Sequence, residues 1–76
     1  MRVRYDPVAD AVYFRLADDA IVSSDQVQPG VILDFDAAGR VVGVEMLGVK
    51  DRVPETALTT MDFGVAGQTS GTPGQA

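Results

Sequence analysis

Asp34 and Asp36 are the residues of this chain best spaced to act together. They stand two apart in an apolar stretch, Val31-Ile32-Leu33-Asp34-Phe35-Asp36, so on a strand both side chains point to one face. Paired carboxylates suit a hard cation such as magnesium or calcium. Asp34-Phe35-Asp36-Ala37-Ala38-Gly39 also matches the opening of a calcium loop, with aspartates at positions one and three and glycine at six. The match ends there. Position five is Ala38, and position twelve is Glu45, inside an apolar strand. The plainer reading gives Asp36 to a turn, paired with Arg40, and leaves Asp34 hydrated beside it. Asp6 and Asp10 flank Pro7 and read as turn residues, because short polar side chains bond the backbone ahead of them. Tyr5 and Tyr13 read as packed rings with a bonded hydroxyl. These readings predict no catalytic residue, no metal ligand and no cofactor.

Composition narrows the chemistry further. There is no cysteine, histidine or tryptophan among the 76 residues. That removes Ser-His-Asp triads, Cys-His pairs, disulfides and the usual zinc sites. No Gly-rich phosphate loop occurs. A net charge of −5 opposes a phosphate backbone, so no nucleic-acid partner is expected. It favours a basic protein partner instead. No apolar run nears the roughly 20 residues that span a bilayer, and MRVRYDP lacks the apolar segment of a secretory signal. The expectation is a cytoplasmic protein with no membrane partner.

The elements that position these residues are strands. Val31–Phe35 and Val41–Met46 are rich in β-branched and aromatic residues. The loop between them has the makings of a type I turn closed by Gly39 at positive φ, which glycine adopts without steric cost. An ideal hairpin then sets Asp36 against Arg40, Phe35 against Val41, Leu33 against Gly43 and Val31 against Glu45. In that register Ile32, Val42, Val44 and Met46 share a face with Asp34, and Glu45 lies on the other. Both faces are largely apolar, unlike an ordinary half-exposed sheet.

Three further strands precede the hairpin: Arg2–Tyr5, Ala11–Leu16 with clear alternation, and the more polar Ile21–Gln28, turned by Pro29-Gly30. Pro54-Glu55 resembles a helix start, so Pro54–Met61 is predicted as a short helix presenting Leu58 and Met61. From Gly64 the chain is glycine-rich and uncharged. The predicted fold is mainly β: an antiparallel meander of about five strands, able to curl, with one short C-terminal helix and a disordered tail. Residues 1–62 form the one domain and 63–76 the tail.

Tyr5-Asp6-Pro7 followed by Asp10-Ala11-Val12-Tyr13-Phe14 resembles the opening pattern of a known family. Val31–Asp36 with Gly39 and Val41–Leu47 resembles its second pattern. The chain thereby resembles the small bacterial domain of unknown function 2283 family over residues 1–54. It departs after the last strand, where Val49-Lys50 stands in place of a small residue and serine. The resemblance implies the fold and, since that family has no assigned activity, no reaction.

A chain this short builds only a marginal core, and association is a common remedy. In a simple meander Val41–Leu47 is an edge strand with one charge, which natural proteins cover or protect. Val42, Val44 and Met46 are therefore the candidate interface, and Asp6, Pro7, Asp10, Asp36 and Gly39 the structural turn residues. The expected function is a non-enzymatic interaction module: a homodimer, or the acidic, antitoxin-like partner of a basic protein. The alternative is a small metal-binding protein or hydrolase using Asp34 and Asp36 with Asp6 or Asp10.

Overall fold

The longest and most apolar strand lies in the middle of the sheet. The computed structural model describes residues 1–67 and shows five strands: β1 (Arg2–Asp6), β2 (Ala11–Arg15), β3 (Ser23–Gln28), β4 (Val31–Phe35) and β5 (Val41–Leu47). They pair antiparallel in the order β1-β2-β5-β4-β3, and the sheet does not close. The mainly β, five-stranded antiparallel architecture is as expected, but the strand order is not that of a simple meander. β5 is inserted between β2 and β4, and the chain from Leu16 to Val22 crosses the end of the sheet to start β3 at the far edge. Polarity accounts for the order. β1 carries Arg2 and Arg4, and β3 reads Ser-Ser-Asp-Gln-Val-Gln, so the two strands best able to face water occupy the edges. The premise that β5 is an exposed edge is therefore wrong.

Three turns hold the strands in register. Between β1 and β2, Asp6 Oδ1 accepts from the Val8 and Ala9 amides at 2.9 and 3.2 Å. Asp10 sits at φ 52°, a conformation aspartate tolerates better than most residues. Its carbonyl accepts from Val49 N at 3.2 Å and its carboxylate from Lys50 N. Pro29-Gly30 joins β3 to β4, with Gly30 at φ 78° as a type II turn requires. Between β4 and β5, Asp36 Oδ1 accepts from the Ala38 and Arg40 amides at 3.0 and 2.9 Å, and Arg40 Nε donates to Oδ2 at 3.0 Å. Gly39 stands at φ 79°.

Past that turn the register departs from the ideal hairpin. Phe35 faces Val41 as expected, but Asp34 faces Gly43, leaving Val42 as an extra residue. Such a bulge shifts every later pair by one, and a shift of one moves each side chain to the other face. Leu33 thus faces Val44, and Val31 faces Met46, in place of Gly43 and Glu45.

One face of the sheet is consequently apolar: Val3 and Tyr5, Val12 and Phe14, Val44 and Met46, Val31 and Leu33. The C-terminal segment roofs part of it. The helix predicted over Pro54–Met61 is instead a 3-10 turn, Glu55–Thr59, and a second 3-10 turn, Val49–Asp51, precedes it. Five residues are too few to repay helix nucleation, and Thr59 and Thr60 are β-branched. Val49 is buried beneath the roof, and Arg52 Nη2 ties it to the Pro29 carbonyl at 3.2 Å. Of the apolar side chains only Val42 and Val49 are fully buried among the described residues. Residues 68–76, most of the predicted tail, lie outside the described residues. Among those described, no helix is long and apolar enough to cross a membrane.

Gly39→Val places a β-branched residue at positive φ, and should lower stability by about 1–3 kcal/mol. Denaturant unfolding checks it. An unchanged midpoint would mean the turn relaxes without strain.

Candidate functional site

Two surfaces have the makings of a site, one on each face of the sheet. The apolar face carries a cleft of about 470 Å³ between the sheet and its roof, lined among others by Tyr5, Val12, Phe14, Met46, Leu58 and Met61. Tyr5 Oη is buried there with no hydrogen-bond partner among the described residues. Of the expected interface residues, Val44 and Met46 are half-buried on this face. Val42 is 2% exposed and offers no surface as the chain stands.

The opposite face is polar and built in two rows that cross the sheet. Arg2, Arg15, Gly43, Asp34 and Ser24 follow one another in register, and beside them run Arg4, Tyr13, Glu45, Ile32 and Gln26. The bulge is what puts Glu45 here. An ideal hairpin places it on the other side, away from Asp34; the observed register makes them neighbours.

Asp34 is 1% exposed, not hydrated as the sequence suggests. Ser24 Oγ donates to its Oδ1 at 2.6 Å, while Oδ2 has no hydrogen-bond partner among the described residues. Burial foremost, then hydrogen bonding and charge from Asp34, push the Glu45 carboxyl above its ordinary value of 4.5. Burial beside a second carboxyl thus favours the protonated form of Glu45. Like charges so close cannot both ionise cheaply.

Gly43 makes room for this arrangement. A Cβ at that position would stand 2.8 Å from Tyr13 Oη and 2.9 Å from Asp34 Oδ2. Both groups close over bare backbone, which only glycine leaves open. Arg15 Nη1 donates to Tyr13 Oη at 3.2 Å, and Arg15 Nη2 reaches the Asp19 carbonyl at 2.6 Å, fastening the Leu16–Val22 crossover. Arg40 Nη2 holds the Asp19 carboxylate at 3.6 Å.

Asp36 belongs to a different place. It is 4% exposed and bound up in its own turn, where the Arg40 amide first, and then its guanidinium, hold the carboxyl below its ordinary 3.8 against the cost of burial. Asp6 and Pro7 sit in the exposed β1–β2 turn, and Asp10 anchors the roof. The structure therefore separates Asp36, Asp6 and Asp10 from Asp34. Among the described residues no group of three or more acidic side chains is placed to hold a metal ion. Sequence reasoning missed Tyr13, Arg15, Ser24, Gly43 and Glu45 as one cluster. The available signal was Gly43, since glycine inside a strand marks a bulge or a close approach of groups to backbone.

Gly43→Ala should destabilise by about 1–3 kcal/mol, because a methyl group is forced against Tyr13 and Asp34. Denaturant titration reads it, and a loss near zero would mean the two side chains swing aside freely. The carboxyl pair sets a pH trend as well. A raised folded pKa means the folded state binds more protons, so this contribution falls as pH rises from about 4.5 through the folded value. Asp36 acts oppositely, its contribution being lost as pH falls below about 3.8. Glu45→Gln mimics the protonated acid, so its unfolding free energy should decline less than that of the parent as pH rises above about 4.5. Parallel profiles would refute the raised Glu45 carboxyl.

Comparison with known proteins assigns a family and no reaction. No curated protein and no solved structure matches the chain. A family model described as a protein of unknown function, DUF2283, matches residues 2–50, which hold all five strands and the first 3-10 residues of the roof. The chain belongs to the DUF2283 family.

Proposed function

We propose that this chain is a non-enzymatic interaction module that works as a homodimer, two copies closing their apolar faces on one another. The observation that carries this reading is the missing core. Among the described residues Val42 and Val49 alone of the apolar side chains are fully buried, while a sheet face of eight apolar and aromatic residues is roofed there by two short turns. Each buried aliphatic or aromatic side chain contributes about 1.5–3 kcal/mol, so a face left half-open forgoes several such terms. A second copy supplies the missing layer. A two-fold dimer presents the same patch twice and needs no other gene product.

The chain's acidity favours a second occupant for the same face, a basic protein, in the manner of an antitoxin and its toxin. A net charge of −5 supports it, with Asp18, Asp25 and Glu55 exposed. The homodimer is the first reading because it needs only what the chain itself contains.

Sedimentation equilibrium at micromolar concentration is expected to show a dimer, and Met46→Lys or Met61→Lys a monomer, since each places a charge in the cleft. Met61 is 60% exposed, so its substitution leaves the fold largely undisturbed. A monomeric parent, or a dimer indifferent to both substitutions, would sink the reading.

A further inference from the structure

Three of the chain's six basic residues gather on the polar face. Arg2 and Arg4 of β1 and Arg15 of β2 surround Tyr13, and these four side chains line a cavity of about 250 Å³. No carboxylate lines it. Among the described residues Arg4 and Arg15 make no ion pair, and Arg2 has only an exposed contact with Asp18 at 3.5 Å. Arg15 Nε is buried without a hydrogen-bond partner. In a chain with nearly twice as many acids as bases, arginines facing one another across a strand pair with so little counter-charge are an electrostatic cost. In register Arg2 stands directly opposite Arg15. Like charges opposite one another destabilise a sheet unless something lies between them.

We infer that the cavity of Arg2, Arg4, Tyr13 and Arg15 binds a small phosphate-bearing anion. Guanidinium groups offer forked donors that match phosphate oxygens, and three of them answer the charge of a dianion. The Tyr13 hydroxyl adds a donor, because its oxygen already accepts from Arg15 Nη1 and its proton is free to turn outward. The Arg15 contact to the Asp19 carbonyl fixes one guanidinium in place before binding, which lowers the entropic cost. Net acidity selects against a long polyanion. A nucleic acid would meet the whole surface charge of −5, whereas a phosphate monoester meets the three local arginines.

Two-dimensional NMR of the full chain, titrated with inorganic phosphate at constant ionic strength, tests this assignment. Saturable shifts centred on the Arg4, Tyr13 and Arg15 amides are expected, with half-saturation at or below about 10 mM, the range of a weak fragment-sized ligand. Arg4→Gln, at an exposed side chain that makes no bond among the described residues, should weaken binding at least about tenfold. Lys50→Gln, a charge of the same sign outside the cavity, should not. Absence of saturable shifts overturns the assignment. So does equal weakening by both substitutions, which would mean diffuse charge attraction. A single-stranded oligothymidylate that binds more tightly than phosphate, with a steep salt dependence, would overturn the small-ligand assignment in favour of a nucleic-acid surface.

Discussion

One extra residue decides which side chains meet in this protein. Val42 bulges from β5 opposite Phe35, and every pair between β4 and β5 beyond it is set by that insertion. Without the bulge, Glu45 would enter the apolar face as an unpaired charge, and Val44 and Met46 would join Asp34 on the other. With it, the alternation resolves into one apolar face and one polar face. The bulge is held from both sides. The Asp36–Arg40 turn fixes the pairing before it, and the Val42 carbonyl accepts from Leu16 N at 2.8 Å on the neighbouring strand. Val42 itself is buried, so a local irregularity of the ladder is also part of the small core.

The same insertion explains where the sequence is legible and where it is not. Turns could be read because their residues act locally: Asp6 with Pro7, Pro29 with Gly30, and Asp36 with Gly39 each close within a few residues. The five strands could be read from alternation and β-branching. Strand order could not, because adjacency of β2 and β5 depends on contacts across some thirty residues, while sequence neighbours are the default expectation. Polarity of β1 and β3 was a usable sign that these are the edges. The roof was misread in type, since a proline followed by an acidic residue opens a 3-10 turn as readily as an α-helix when the segment is short.

For the candidate site the failure was narrower. The sequence marks Asp34 as chemically interesting, but its spacing points to Asp36, two residues away, as the partner. Its actual neighbours, Ser24, Gly43 and Glu45, come from other strands and from the shifted register. A residue at position i+2 on an ideal strand shares a face, but Asp36 has already left the ladder to build the turn, and its carboxylate is consumed there.

The two faces together give the domain a division of labour. A single-layer sheet of this size cannot enclose a core, so one face has to find cover, and on the apolar side Tyr5 brings a buried hydroxyl with no partner among the described residues. The polar side has the opposite character. Arg15 bonds Tyr13 and the crossover, Ser24 bonds Asp34, and burial beside Asp34 raises the Glu45 carboxyl. Because β5 contributes Met46 to one face and Glu45 to the other, the faces are joined through a single strand. A partner that repositions β5 on the apolar side shifts Gly43 and Glu45 on the polar side. Gly43 has no side chain to absorb such a shift, so it would be felt directly by Tyr13 and Asp34, the groups that close over it.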